Sequence, residues 1–198
     1  MNVAIRRVEM SVDEFLLWEE RQELRYEFDG IAPRAMTGGT AGHSHIAINL
    51  YVALGSRLTR KPFRPFDSSV KLRMAKTVRY PDAMVVRTPV DRKATWTTEP
   101  TVVFEILSDS TRYVDQFEKM QEYTAVPSLM RYVLLEEDHV AAVVYARQGE
   151  VWVATALTGD AVLDMPEIGI AVPLPELYEG LDLPPEKPRG DERPQEVA

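Results

Sequence analysis

An α/β or α+β domain, with a mixed β-sheet flanked by helices, is what the order of apolar patterns in this chain predicts. Three observations carry that expectation. Helical periodicity and strand-like apolar runs alternate along most of the sequence. Turn signals separate them, among them Asp29-Gly30, Gly38-Gly39, Pro62 with Pro65, and Gln148-Gly149. The 198 residues are 45% hydrophobic and 27% charged, enough for one domain with a real core.

Taken in order, Ser11-Val12-Asp13-Glu14 has the spacing of a capping box, and Phe15, Leu16 and Trp18 supply an apolar face. The first helix starts there and ends near Arg21. Tyr26-Glu27-Phe28, the Asp29-Gly30 turn and Ile31 to Met36 read as strand, turn, strand. Thr37 to Gly42 is a flexible loop. His43 to Leu58 carries Ile46, Leu50, Leu54 and Leu58 near helical spacing and forms the long second helix, which the Pro62 and Pro65 region breaks. Strands are expected at about 67–73, 82–87 and 102–107. Ser108-Asp109-Ser110-Thr111-Arg112 is a polar turn rich in capping residues. A helix over about 114–124 follows, with Phe117 and Met120 facing the core, and Pro127 closes it. Residues 131–135, 141–146 and 151–157 read as three consecutive strands. The expected organisation is one domain over 1–183 and a disordered, proline-rich and charged tail over 184–198. No internal repeat is visible.

Composition excludes several chemistries. There is no cysteine, so disulfides, thiolate zinc sites and a cysteine nucleophile are ruled out. P-loop, GxGxxG, HExxH and GxSxG motifs are absent, which removes kinase, dehydrogenase, zincin and α/β-hydrolase readings. No leader and no membrane-spanning run is legible, and the chain reads as cytoplasmic. Net charge is −8, against nonspecific coating of nucleic acid, but from Arg57 to Arg79 eight basic residues face one acid, Asp67, a local +7. That segment is either a basic patch for a polyanion or a solvated helix end followed by the polar face of a strand, since Val70-Lys71-Leu72-Arg73 alternates with period two.

Four charged residues stand out. Asp82 follows Pro81 and opens the apolar run Ala83-Met84-Val85-Val86. Glu105 sits inside Thr101-Val102-Val103-Phe104-Glu105-Ile106-Leu107. A carboxylate in a buried strand is costly unless it is paired or binds a cation. Two on neighbouring strands would suit a hard divalent metal and phosphodiester chemistry. The alternative is a strand-end acid facing water or an arginine. Lys119 lies on the following helix, with Asp115 one turn before and Tyr123 one turn after. It could neutralise phosphate and orient water, or be half of an ordinary Asp–Lys surface pair. Glu27 could be a further ligand or a solvent-facing strand residue. His43 and His45 lie two apart at a helix start and point to different faces. One could contact phosphate there; a structural role is the alternative.

Tyr26-Glu27-Phe28-Asp29-Gly30, His43 with Ile46 and Leu50, Pro81-Asp82, Phe104-Glu105-Ile106-Leu107-Ser108, Ser110-Thr111-Arg112, then Asp115, Lys119 and Tyr123 follow one another in a pattern. From about Ser11 to Leu183 it resembles the Uma-two family, a branch of the PD-(D/E)XK restriction-endonuclease-like superfamily. The resemblance implies a restriction-endonuclease-like mixed sheet flanked by helices, and DNA phosphodiester hydrolysis with magnesium or manganese. It implies Asp82 and Glu105 as metal ligands, Glu27 as the upstream acid ligand, and Lys119 as the migrated motif lysine, since Leu107 stands where the superfamily lysine would be. His43, Arg112, Lys71 and Arg73 are the residues expected against DNA, and two copies could cut two strands as a homodimer. The competing expectation is a nuclease-fold module that binds nucleic acid or a partner without cutting; another is a hydrolase of small phosphoesters.

Overall fold

The computed structural model describes residues 10–36, 38–108, 112 and 114–183. In chain order its elements are α1 (Val12–Glu19), β1 (Tyr26–Phe28), β2 (Pro33–Ala35), α2 (Ala41–Leu58), β3 (Phe63–Asp67), β4 (Lys71–Arg73), β5 (Val78–Arg79) and β6 (Ala83–Arg87). There follow β7 (Trp96–Thr97), β8 (Pro100–Leu107), a π-helical turn (Val114–Lys119) and α3 (Met120–Thr124). The chain continues through β9 (Arg131–Glu136), β10 (Ala141–Gln148), β11 (Val151–Thr158), β12 (Val162–Met165), β13 (Ile170–Pro173) and a 3-10 turn (Leu174–Tyr178).

Six strands form the main sheet in the order β11-β10-β9-β8-β6-β3, mixed because β8 and β9 run parallel while the other pairs are antiparallel. The order β2-β1-β5-β4-β7 makes a smaller sheet, and β12 pairs with β13. One face of the main sheet carries Val85, Phe104 and Val133 against Ile46, Leu50 and Leu54 of α2, with Leu163, Val172 and Leu177 behind. The other face carries Met84, Val103, Tyr132 and Leu134 against Tyr123, Val126 and Leu129, with Leu72 of β4 reaching in from the small sheet. α1 covers the far side of the small sheet, where Phe15 stacks on Phe28 at 5.1 Å beside Val78. The π turn and α3 therefore lie between the two sheets.

Local signals explain most elements. The Ser11 capping box forms on both arms: Glu14 N donates to Ser11 Oγ at 3.2 Å and Ser11 N to Glu14 Oε2 at 2.7 Å. At the Asp29-Gly30 turn, Asp29 Oδ1 accepts the N–H groups of Ile31 and Ala32, while Gly30 sits at φ +84, a left-handed position that favours glycine. α2 starts at Ala41, two residues before the apolar periodicity, because Thr40 caps it by accepting the His43 N–H at 3.0 Å.

The differences from expectation are also local. The strand expected at 67–73 is two strands, split where Asp67 Oδ1 accepts the Ser69 N–H and turns the chain. β5 and β7 have two residues each, too short for a periodic signal. The helix over 114–124 opens as a π turn. The tail over 184–198 and residues Asp109 to Thr111 of the polar turn lie outside the described residues, as does the Asp115 side chain. Among the described residues no helix is long and apolar enough to cross a membrane.

Tyr51, Tyr80, Tyr123 and Tyr178 each donate their hydroxyl to a carbonyl or carboxylate oxygen. Burial is the main reason that all four phenols titrate above their usual range, Tyr51 at about 12. Their folded values exceed the unfolded value of about 10, so the stability they lend is complete below about pH 10 and is lost as pH rises past it. An ultraviolet titration should show a fraction of phenols that ionises only together with unfolding. Complete ionisation near the ordinary phenol value of about pH 10 with the fold intact would contradict this packing.

Candidate active site

Glu105 is 3% exposed, in the middle of β8 on the face shared with Val103 and Leu107. Buried without partners, a carboxylate there would cost several kcal/mol. Two donors answer it. Lys119 Nζ lies 2.9 Å from Glu105 Oε1 and the Tyr123 hydroxyl 2.7 Å from the same oxygen. Burial and the neighbouring Glu105 charge hold the Tyr123 phenol well above its usual range, so it stays a donor. Lys119 closes the π turn and Tyr123 lies one α-turn later, the spacing that lets both reach one atom. π turns concentrate at functional sites, where their wider register places a side chain a regular helix would misplace.

Asp82 stands immediately before β6. The antiparallel pair Ala83 and Phe104 sets it beside Glu105 across the two strands. Asp82 Oδ2 accepts the Ile106 N–H at 2.7 Å, and His43 Nε2 from the first turn of α2 is 3.1 Å from the same oxygen. Tyr51, two turns further along α2, donates to the Asp82 carbonyl. α2 thus fixes both ends of Asp82.

On the opposite side, Glu27 Oε1 lies 3.6 Å from Lys119 Nζ and accepts the Tyr80 N–H at 3.1 Å. Its Oε2 accepts from Arg79 Nη1 at 3.2 Å. Arg79 is 1% exposed and forks onto Glu122 at 2.8 and 2.6 Å. Burial works against its charge, yet Glu122 and Glu27 together hold it more firmly protonated than usual. Signs alternate along Glu105, Lys119, Glu27, Arg79 and Glu122. Among the described residues, Glu27, Asp82 and Glu105 do not form a set of three with ligand atoms all within 4.8 Å of one another. Glu136, Asp138 and His139 do, although Arg112 forks onto Glu136 at 2.9 and 2.7 Å and His139 sits 2.6 Å from Asp138.

The basic segment is distributed differently from the open patch considered for it. On β4, Leu72 faces α3, so alternation turns Lys71 and Arg73 toward α1. Lys71, 7% exposed, pairs with Glu19 at 3.0 Å, and Arg73 pairs with Asp13 at 2.7 Å and lies over the Trp96 ring. Arg57 forks onto Glu176, and Arg64 donates to the Lys61 and Phe63 carbonyls. A linear charge count cannot see acids supplied by other elements. His45 contacts the Glu179 carbonyl at 2.9 Å.

Sequence reasoning missed Arg79, Glu122 and Tyr51. One signal was available: Arg79 lies between Val78 and Tyr80, directly before Pro81-Asp82, and an arginine in an apolar run has the same need of a partner as Glu105.

This arrangement can be set beside known proteins. A crystal structure of "a putative nuclease belonging to DUF820" from Anabaena variabilis shares the fold, with a TM-score of 0.71 at 18% identity over 85% of this chain and 97% of that one. Residues 12–174 match the model of the Uma2 family, described as "Putative restriction endonuclease", and the chain belongs to that family. Two uncharacterized proteins of Synechocystis sp. are similar as well. One is 31% identical over 176 residues, covering 87% of this chain and 93% of its own length. The other is 26% identical over 166 residues, covering 81% and 93%.

Lys119→Met should destabilise the protein by about 3–5 kcal/mol, because it strands a buried carboxylate. Tyr123→Phe should cost about 1.5–3 kcal/mol, the range for a hydrogen bond to a charged group. Urea unfolding measures both, and adding Glu105→Gln to Lys119→Met should recover part of the loss. Wild-type stability in Lys119→Met would contradict the pairing.

Proposed function

We propose that this chain is a metal-dependent endonuclease that hydrolyses phosphodiester bonds in DNA. The observation that supports it best is the Asp82–Glu105 pair, side by side at the junction of β6 and β8 with Lys119 against Glu105. Membership in a family described as "Putative restriction endonuclease" points the same way.

Two neighbouring carboxylates offer hard oxygen donors, which suits magnesium or manganese. Asp82 and Glu105 would hold the ion, which when bound supplies charge neutralisation at the phosphate and a more acidic water. Lys119 carries a fixed positive charge into the site, where its ammonium can meet a phosphate oxygen and orient the attacking water. Tyr123 holds Glu105 in place. Glu27 keeps the upstream acid position: its Oε1 lies 3.6 Å from Lys119 Nζ, and it would serve as an additional ligand. His43, in the first turn of α2 with its Nε2 3.1 Å from Asp82 Oδ2, would meet a phosphate beside Asp82. Arg112, tied to the end of β9 through Glu136, would be a further cation for the substrate.

A binding-only module draws support from the net charge of −8 and from the acids that absorb Lys71 and Arg73. Supercoiled plasmid and single-stranded DNA incubated with magnesium, manganese or chelator separate the two. Cleavage should need the metal and should fall at least about 100-fold in Asp82→Ala and in Glu105→Ala, the scale of one lost electrostatic group. Full activity in both variants would sink the nuclease reading. Metal-independent DNA binding without cleavage would favour the module.

A further inference from the structure

The main sheet has two edges, and they are built differently. β3 is five residues, Phe-Arg-Pro-Phe-Asp, with Pro65 at its centre and Arg64 and Asp67 beside it. A proline that lacks an N–H, together with charge, is what blocks addition of another strand. β11, at the other edge, is eight residues, Val-Trp-Val-Ala-Thr-Ala-Leu-Thr, without a charge, a proline or a glycine. Six of those eight residues are exposed, Val151 at 60%, so solvent reaches both faces of the strand. Among the described residues only β10 pairs with it.

The register settles which backbone groups are left over. Gln148 opposite Val151 closes a two-residue turn, with Gly149 at φ +60. The pair flanking such a turn is hydrogen-bonded, so Val151, Val153, Thr155 and Leu157 bond to β10. Trp152, Ala154 and Ala156 then present their N–H and C=O groups outward, while the Thr158 carbonyl accepts the Ala161 N–H. Arg147, stacked 4.6 Å over the Trp152 ring, holds that side chain on the sheet face and away from the edge.

We propose that β11 is a dimerisation edge that pairs antiparallel with β11 of a second copy about a two-fold axis, joining the two main sheets into one. The strand is complementary to itself. Centred on Ala154, the two-fold sets Trp152 opposite Ala156, Val151 opposite Leu157 and Val153 opposite Thr155, large against small or apolar against β-branched. Glu150 falls opposite Thr158, so no like charges meet. A two-fold perpendicular to the sheet also leaves the Asp82–Glu105 pairs of both copies on the same face.

The chain has no cysteine, which makes a single introduced thiol a clean reporter. Opposed residues of a hydrogen-bonded antiparallel pair lie about 5.5 Å apart at Cα, within reach of a disulfide. Ala154→Cys should oxidise to a covalent dimer that reductant reverses, while Val52→Cys, 65% exposed on α2, should not. In sedimentation velocity the wild type should be a dimer, and Ala154→Lys with Thr155→Lys should weaken it about 100-fold or more by opposing like charges. The circular dichroism and melting of that double variant should match wild type. A wild type that stays monomeric at high micromolar concentration would overturn the proposal. So would a dimer that the lysines leave intact, or a monomer whose Trp152, Ala154 and Ala156 amides are protected from exchange by the chain's own remaining residues. DNA cleavage is read separately, so the two proposals can fail independently.

Discussion

Burial of Glu105 in β8 and its place as an acceptor in the proposed site make two demands on the fold. Those two demands conflict, because the interior of a sheet penalises an isolated charge by several kcal/mol. The conflict is resolved by bringing two donors to one oxygen, an ammonium and a phenol whose own burial keeps it protonated. Both come from a segment too short to be a stable helix alone. That segment is held by packing: Tyr123 against Tyr132 edge-on at 5.0 Å, with Leu129 and Val126 beside it. The π turn, the placement of α3 between the sheets and the charge alternation behind Lys119 all serve the same pairing.

The small sheet supplies the rest of the electrostatics. Lys119 alone would balance Glu105 but leave Glu27 to be answered, and Arg79 answers both Glu27 and Glu122 from a fully buried position. On α1's side of that sheet a separate set, Lys71 with Glu19 and Arg73 with Asp13, docks the first helix. Cations that look like one basic stretch in sequence are thus divided by strand alternation between two faces. One face holds Arg79 between Glu27 and Glu122, and the other pairs Lys71 and Arg73 with α1. The −8 net charge is consistent with a body in which many cations are already answered by acids.

Much of this was legible before the structure. The mixed sheet flanked by helices, the long strands, the capping box and the Asp29-Gly30 turn follow from patterns that one segment carries by itself. Glu105 stood out because a carboxylate in an apolar run is anomalous within its own strand. What stayed hidden depends on other segments. Two-residue β5 and β7 have no period to detect, and they exist because longer neighbours pair with them. Lys71 and Arg73 showed the right alternation, but which face α1 would cover could not be read from β4 alone. Lys119 stands fourteen residues from Glu105, so its place beside that carboxylate was expected from the family resemblance and not from spacing within one segment.

The proposed Asp82–Glu105 metal site can be located directly by the anomalous scattering of manganese in crystals soaked with the ion. A peak is expected between Asp82 and Glu105, about 2–2.6 Å from an oxygen of each, the range for hard cations on carboxylates. A peak on Glu136, Asp138 and His139 instead, with none at Asp82 and Glu105, would contradict it and move the chemistry to the turn between β9 and β10.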